Sequence, residues 1–366
     1  MEPLQGRIRP YAWGSRQAIA RIQGRPVPSD GPEAELWLGA HPTAPSSVAG
    51  RLLPELLAAE PARLLGEDVV EEFGPRLPYL FKVIAAETPL SIQAHPDADR
   101  AAAAFAADHP SYSDPFHKPE LLVAVEEFDA LCGFRDPAAS AARLEALDVT
   151  GLKPVVEALR AGTVEERLRG AVSLLLSGSL PADLVASVAA ADPFAASLAA
   201  HYPDDPGVLV ALLLNRARLA ADDAVWMPAG NLHAYLCGVG IEAMAASDNV
   251  LRGGLTPKRV DVPELLRILR FEVLANPVVG PVPVAPGVVT WPAPAREFAL
   301  YKATVAGEPV TLPAAGPRIL FCLRGEVSLG ALARRAGEAA FVAAAEPPVV
   351  VGGDGVVFQV DTGRQL

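Results

Sequence analysis

The chain has 366 residues, with 51% hydrophobic residues, 20% charged residues and a formal net charge of −12, a composition typical of a globular protein with more than one structural unit. Nucleic acids and anionic membranes recruit proteins through positive fields, so the acidic balance argues against both as partners. The apolar stretches are interrupted before they reach membrane-spanning length and the start lacks a signal-peptide pattern, so we expect a cytoplasmic protein.

The first predicted unit is β-rich and the second is helical. From Leu36 to about Phe134, short apolar segments alternate with Pro, Gly and Asp, which predicts an antiparallel all-β unit. After Asp136, Ala, Leu and charged residues recur at helical spacing, and Asp136 and Pro137 suit the N-cap and N1 positions of a helix. We therefore expect a helical insertion over residues 136–221.

Strand-like patterning resumes at AVWMPAGNLHAYLCG, residues 224–238, and Asp261 with Glu264 then fits the start of a short helix. Residues 275–294 contain Pro and Gly at a density that suits an extended linker or edge strands. From about Glu297, short apolar runs alternate with Gly turns. This last part predicts a second small β-barrel or sandwich.

The segment SIQAHPD, residues 91–97, places an amide and an imidazole two positions apart. If Ile92 and Ala94 point to one face of a strand, Gln93 and His95 share the other, about 7 Å apart. Taken alone, this pair fits hydrogen-bonded polar residues on a solvated face. A metal site would need further ligands.

Further oxygen and nitrogen ligands occur in DPFHKPELL, which contains Glu120, and in MPAGNLHAY, which contains His233. Together with Gln93 and His95 they form a donor set that suits Zn²⁺, Fe²⁺ or Mn²⁺ better than Cu⁺ or Ca²⁺. The three cysteines lie far apart without CxxC spacing, which argues against a disulfide framework or a cysteine zinc cluster. Spacing alone does not bring these distant residues together.

A run of longer motifs extends the argument. In chain order they are YAWGS, ELWLGAHPTAPS, LPYLFKVIAAETPLSIQAHPD, YSDPFHKPEL, LCGFR, MPAGNLHAYLCG and IEAMAASDNVLRGGLTPKRVDVPELL. In this order they closely resemble the type I mannose-6-phosphate isomerases (phosphomannose isomerases), zinc enzymes of the cupin superfamily. The resemblance covers about residues 11–135 and 222–271.

The resemblance implies a fold that is mainly β with a helical insertion. A cupin-type jelly-roll catalytic domain would comprise residues 1–135 and 222–275. An all-α inserted domain would occupy residues 136–221, and a second small β-barrel or jelly-roll domain would occupy residues 276–366. The insertion and the C-terminal domain carry no motif of their own.

The resemblance also implies one Zn²⁺ per chain, with ligands at the matching positions Gln93, His95, Glu120 and His233. The implied reaction interconverts mannose 6-phosphate and fructose 6-phosphate. A proton moves between C1 and C2 of the open-chain sugar through a cis-enediol, and no redox cofactor is required. The expected partner is therefore a small sugar phosphate, bound by a chain that we expect to be monomeric.

This chemistry needs a base that carries the proton. The motifs offer Lys118, His117 and Glu242 as catalytic candidates, and Tyr235 as a more remote one that also suits substrate binding. A lysine beside a divalent cation can have its pKa lowered toward neutrality. These residues leave the base unassigned.

The substrate phosphate needs cationic or hydroxyl donors. Arg252 offers a bidentate fork, Lys258 and Lys82 offer point charges, and Ser91 offers a hydroxyl. In the family, the Arg of NVLRGGLTPK is treated as an active-site residue. Arg252 is therefore expected at the phosphate or at the reacting carbons.

Two other functions fit the same fold, because cupin barrels host several chemistries. One is an oxygenase that binds Fe²⁺ through the same four ligands. The other is a sugar-phosphate sensor that binds without turnover. Oxygenase chemistry does not require Arg252 and Lys258, so their presence argues against an oxygenase. A sensor does not require intact metal ligands beside candidate bases, so their presence argues against a sensor.

Overall fold

The structure is a computed structural model that describes residues 1–363. Its strands are β1 Glu2–Gln5, β2 Arg7–Arg9, β3 Glu35–Leu38, β4 Ser47–Val48, β5 Arg51–Leu52, β6 Tyr79–Ala86, β7 Ile92–Ala94, β8 Glu120–Ala124, β9 Phe128–Phe134, β10 Leu214–Leu219, β11 Ala224–Met227, β12 His233–Ala245, β13 Leu251–Gly254, β14 Val278–Val279, β15 Val282–Ala285, β16 Val288–Thr290, β17 Ala299–Ala306, β18 Val310–Thr311, β19 Arg318–Leu329, β20 Leu332–Arg335, β21 Ala339–Val342 and β22 Val350–Asp361. Its helices are α1 Ala18–Ile22, α2 Leu53–Ala59, α3 Pro61–Leu65, α4 Glu67–Phe73, α5 Ala98–Ala106, α6 Pro137–Glu145, a 3₁₀ turn at Thr150–Leu152, α7 Lys153–Ala158, α8 Val164–Leu176, α9 Leu184–Ala191, α10 Pro193–Ala199, α11 Gly207–Ala211 and α12 Val262–Ile268.

The strands form two antiparallel sheets of 11 strands each. Sheet I has the order β14-β11-β8-β12-β6-β3-β2, and β7, β9, β10 and β13 join it beside this path. Sheet II has the order β15-β16-β17-β22-β19-β21-β1-β4-β5, and β18 and β20 pair with β22 and β19. The fold is thus mainly β with added helices, as the sequence predicts. The jelly-roll description and the domain ranges stay predictions.

Side-chain alternation gives sheet I two different faces. In β6, Phe81 and Val83 point into a core that sheets I and II share, where they meet residues of sheet II such as Phe321 and Phe358. Lys82, between them in sequence, points to the opposite face because successive strand residues alternate. One face of sheet I is therefore a packed interior and the other is free to carry polar groups.

The helical region rests on the edge of sheet I. Asp136 caps α6 by accepting hydrogen bonds from the backbone N–H groups of residues 138 and 139, which confirms the predicted helix start. The helices end at Ala211, inside the range predicted as helical, and Leu214–Leu219 forms β10, which pairs with β9. Its alternating burial, with Ala217 and Leu219 inside and Arg216 and Arg218 outside, is a strand signal that the helical interpretation overlooked.

Two further expectations need correction. The region from Leu36 to Phe134 is not all-β, because it contains α2 to α5; Asp97, for example, caps α5 through the backbone N–H of Arg100. The first strand also lies outside the sheet that its sequence position suggests. β1 pairs with β21 of sheet II, with Glu2 opposite Phe341, and so the chain begins in the sheet that its last third builds.

Within residues 1–363, no helix combines the length and the apolar composition that a bilayer crossing requires.

Candidate metal centre and active-site cleft

The four predicted metal ligands lie close together at one end of sheet I. Glu120 is the first residue of β8, His233 is the first residue of β12, and Gln93 lies in β7 with His95 just beyond it. β12 pairs with both other strands, and its register puts His233 opposite Gln93. In β7, Ile92 and Ala94 face the apolar core. Gln93 and His95 therefore share the other side, as the alternation predicts.

The donor atoms converge on one point. The Nε2 atoms of His95 and His233 each lie 3.2 Å from Oε2 of Glu120, and the donor atoms of these three buried residues all lie within 4.8 Å of one another. The Gln93 amide lies beside them, with Nε2 3.3 Å from Nε2 of His233. A half-turn of this amide brings its oxygen to the same position, which is the atom that a cation would bind.

Backbone carbonyls orient both imidazoles. Nδ1 of His95 lies 2.8 Å from the carbonyl oxygen of Asn249, and Nδ1 of His233 lies 3.0 Å from that of Asn231. A carbonyl can only accept, so each Nδ1 carries the proton and each Nε2 presents its lone pair to the centre. The sequence analysis did not identify Asn249 or Asn231, although both lie in the quoted motifs.

The centre has the features that a divalent cation requires. Nε2 of His95 and Oε2 of Glu120 are buried and make no hydrogen bond. A buried polar atom without a partner costs on the order of 1–3 kcal/mol, and a cation bound by two imidazoles, a carboxylate and an amide oxygen would remove that cost. This donor set suits Zn²⁺, Fe²⁺ or Mn²⁺.

The protonation states also suit ligation. Burial, together with the charge of Lys118 and the neighbouring imidazole, lowers the pKa of His95 to about 4, so the ring is neutral at physiological pH. Burial alone would raise the pKa of Glu120, but the positive charge of the Lys118 ammonium, 3.0 Å from Oε1, outweighs burial and holds that pKa well below its usual range. The centre thus presents a neutral His95 imidazole and an ionised Glu120 carboxylate, the states that bind a metal ion.

The centre opens on a cleft with a volume of about 930 Å³. His95 and His233 lie behind its wall. All but one of the other predicted site residues line the cleft: Lys82, Ser91, Gln93, Lys118, Glu120, Tyr235, Glu242, Arg252 and Lys258. The exception is His117. Its Nε2 lies 2.6 Å from Oε1 of Glu297, which precedes β17 of sheet II, so this side chain turns away from the cleft.

A buried charge network forms part of the cleft floor. Lys82 lies directly opposite Glu242 in the register of β6 and β12, and its Nζ is 3.0 Å from Oε2 of Glu242 and 3.8 Å from Oε2 of Glu35. Burial alone would lower the pKa of Lys82, but the carboxylates of Glu242 and Glu35 outweigh burial and raise it. Lys82 is therefore an ammonium already engaged by two carboxylates. Glu35, which the sequence analysis did not single out, lies in ELWLGAHPTAPS.

Tyr235 is part of the same network. Its hydroxyl donates to Oε1 of Glu242 at 2.7 Å. Burial and the negative charge of Glu242 raise the pKa of Tyr235 well above its usual value. Tyr235 therefore stays a protonated donor, which disfavours its use as a base.

Arg252 and Lys258, like the exposed Arg259 that also lines the cleft, have no carboxylate partner among the described residues. Arg252 lies in β13, opposite Gln93, and is half-buried, which lowers its pKa while leaving the guanidinium charged. Lys258 is exposed in the loop that follows β13. Both are free to bind an anionic group of a ligand, whereas Lys82 is not.

Removal of a single imidazole tests the metal centre. We expect His95→Ala to abolish stoichiometric Zn²⁺ binding, because it removes a ligand and leaves Glu120 without that neighbour. His109→Ala is the matched control, since His109 lies outside the centre with Nε2 3.9 Å from Glu264. Metal content after dialysis against Zn²⁺ and the rise in melting temperature on adding Zn²⁺ are the measurements. Full Zn²⁺ binding by His95→Ala would contradict the assignment.

The comparisons with known proteins agree with this geometry. Residues 1–137 match the family described as the catalytic domain of type I phosphomannose isomerase. The mannose-6-phosphate isomerase of Escherichia coli (strain K12) is 36% identical over 390 residues, covering 98% of this chain and 99% of that protein. The crystal structure of an arginine-to-alanine mutant of phosphomannose isomerase from Salmonella typhimurium has a TM-score of 0.88 and 33% identity, with 99% of both chains covered. A crystal structure of mannose 6-phosphate isomerase bound with zinc and yttrium has a TM-score of 0.85 and 33% identity, again with 99% of both chains covered. The chain therefore belongs to the type I mannose-6-phosphate isomerases, a family of enzymes.

Proposed function

We propose that this chain interconverts mannose 6-phosphate and fructose 6-phosphate with one bound Zn²⁺. The observation that carries this proposal is the buried centre of His95, Glu120 and His233, which opens on a cleft that also contains unpaired cations. The nitrogen and oxygen donor set supports Zn²⁺, and a related structure is described with zinc. Gln93 would supply the fourth ligand.

Aldose–ketose isomerisation develops negative charge on O1 and O2 of the open-chain sugar as the cis-enediol forms. A bound divalent cation supplies electrostatic stabilisation for that charge. The chain's own contribution is to keep the surroundings fixed: Tyr235 and Lys82 both bind Glu242, so this carboxylate has one orientation at the cleft floor.

Arg252 and Lys258 are our proposed phosphate-binding cations. Arg252 can bind two phosphate oxygens at once, and its partial burial strengthens the contact. Lys258 adds a mobile charge at the rim, and Ser91 can donate a hydrogen bond from the cleft wall. Lys82 is more plausible as the counter-charge of Glu242 and Glu35, because its ammonium is already bound to them.

Lys118 and Glu242 are the two proposed proton carriers. Both line the cleft, and Nζ of Lys118 lies 3.0 Å from the ligand carboxylate of Glu120, which puts it beside the metal centre. Removing the proton from C2 of the aldose and returning it to C1 needs one group that reaches both carbons. His117 is a poor candidate because it binds Glu297 outside the cleft.

For the fold, we propose the same domain ranges that the family resemblance implies. We assign residues 1–135 and 222–275, which supply most strands of sheet I, to a cupin-type jelly-roll domain, and residues 276–366, which supply most strands of sheet II, to a second β domain. The antiparallel pairing in both sheets supports this assignment. Membership in a family of isomerases argues against the oxygenase and sensor alternatives.

The direct test is turnover of mannose 6-phosphate to fructose 6-phosphate by the purified protein. We expect a chelator to abolish turnover and added Zn²⁺ to restore it, because the centre needs a cation to stabilise the developing charge. A coupled assay of fructose 6-phosphate measures both steps. A folded, zinc-loaded sample without turnover would exclude the proposed reaction.

Arg252→Ala should cut kcat/KM about a hundredfold, since loss of one charge-stabilising donor costs about 3 kcal/mol of barrier. Zn²⁺ content should stay unchanged, because Arg252 is no ligand. Lys258→Ala should mainly raise KM. Arg218→Ala, at an exposed position of β10, is the control. Loss of metal from Arg252→Ala would show that we have placed Arg252 wrongly.

Lys118→Met and Glu242→Gln distinguish the two proton carriers, because each keeps side-chain volume and removes the titratable group. We expect one of them to lose isomerisation and solvent hydrogen exchange at C2 together, by a factor of about 10²–10⁴. Exchange in D₂O, followed by proton NMR, measures the effect. Exchange retained in both variants would exclude both residues.

A further inference from the structure

His41 is a buried imidazole that the proposed mechanism leaves unused. It lies in the loop between β3 and β4, and its ring packs edge-on against Trp37, with ring centroids 4.7 Å apart at 76°. Nε2 of His41 lies 3.1 Å from Oδ2 of Asp248, and the side chain is only 5% exposed. This buried histidine thus directs one ring nitrogen, Nε2, at an acidic residue.

The neighbouring threonine fixes the protonation of this ring. The backbone N–H of Thr43 donates to Nδ1 of His41 at 3.3 Å, and the Thr43 hydroxyl lies 3.0 Å from the same atom. An N–H donor requires that Nδ1 be an acceptor, so the ring proton sits on Nε2. His41 therefore donates a hydrogen bond to Asp248.

Asp248 lies on the wall of the active-site cleft. The hydrogen bond from His41 is the main cause that lowers the pKa of Asp248; burial opposes it, and the positive charges of Lys118 and Lys82 add to it. The backbone N–H of Asp248 donates to Oδ2 of Asp114 at 2.8 Å, which anchors the main chain. The carboxylate is thus ionised, is held by His41, and is 44% exposed on a residue that lines both the cleft and a second, neighbouring cavity.

The far side of His41 shows that packing alone does not require a histidine. The ring contributes to the wall of a second cavity of about 290 Å³, which is otherwise lined largely by apolar residues such as Leu57, Leu77 and Phe116. A leucine would suit these surroundings as well as an imidazole does. The hydrogen bonds to Asp248 and from Thr43 are what distinguish histidine at this position, and the one to Asp248 reaches the cleft.

We infer that His41 is a positioning residue, which holds the Asp248 carboxylate at the cleft wall so that it accepts a hydrogen bond from a sugar hydroxyl. The inference rests on the proposed function, because it assumes a sugar phosphate in the cleft. It adds a residue that touches neither the metal centre nor the substrate and acts only through Asp248.

Two substitutions separate the hydrogen bond from packing. His41→Leu fills the space with an apolar side chain and removes the hydrogen-bond donor to Asp248. We expect kcat/KM to fall about tenfold to a hundredfold, which is the effect of losing one hydrogen bond to a charged group. His41→Gln returns an N–H donor near the position of Nε2 and should recover activity to within a few-fold of wild type. Equal loss in both variants, with both folded and zinc-loaded, would overturn the inference.

A double-mutant cycle tests whether His41 acts through Asp248. In an Asp248→Asn background, His41→Leu should cause little further loss, because the carboxylate that His41 positions is already gone. Additive losses would overturn the inference, since they would mean that His41 contributes by another route.

A nuclear magnetic resonance measurement keeps this test independent of the proposed reaction. Nitrogen-15 shifts of the His41 ring in the zinc-loaded protein should show the proton on Nε2, and Asp248→Asn should perturb that signal. A proton on Nδ1 would overturn the inference even in an active enzyme. Failure of the proposed function is distinguishable from failure of this inference. It would appear as wild-type protein that gives the expected His41 signal but does not turn over mannose 6-phosphate.

Discussion

The site depends on one almost fully buried carboxylate, that of Glu120. An ionised carboxylate costs several kcal/mol to bury unless opposite charge and hydrogen-bond donors surround it. Glu120 meets that requirement through the Lys118 ammonium on one oxygen, and the cation that the two imidazoles can bind would meet it on the other. The orientation of those imidazoles depends in turn on main-chain carbonyls. Each of these groups therefore depends on the others, and loss of one would leave a buried charge or polar atom without a partner.

β12 connects this set to the rest of the molecule. It begins with His233 at the centre, and farther along the strand Glu242 faces the cleft while Ile241 and Ala243 face the core between the two sheets. A single strand thus has the metal centre at one end, the charge network along one side and inter-sheet packing on the other. Repacking of that core would therefore shift cleft residues that the core itself does not contact.

Sequence reasoning reached the local features and missed those that depend on distant contacts. Alternation in a strand was enough to put Gln93 and His95 on one face, and the quoted motifs were enough to select the residues that line the cleft. The direction of His117 was not predictable, because it is set by Glu297, which lies 180 positions along the chain. The carbonyls that orient the histidines carry no side-chain signature. The helical interpretation continued past Ala211 because composition outweighed the alternation in β10.

The pairing of β1 with β21 has a consequence for the order in which the molecule is made. β1 can pair with β4 soon after both are made, but its other edge, where Glu2 faces Phe341, stays unpaired until the more than 300 residues between these two positions have been synthesised. Pairings across such a separation form slowly, because the entropy of closing the intervening loop must be overcome first. The nascent chain therefore carries an unpaired β edge during much of its synthesis, and a chaperone that bound this edge would protect it from aggregation.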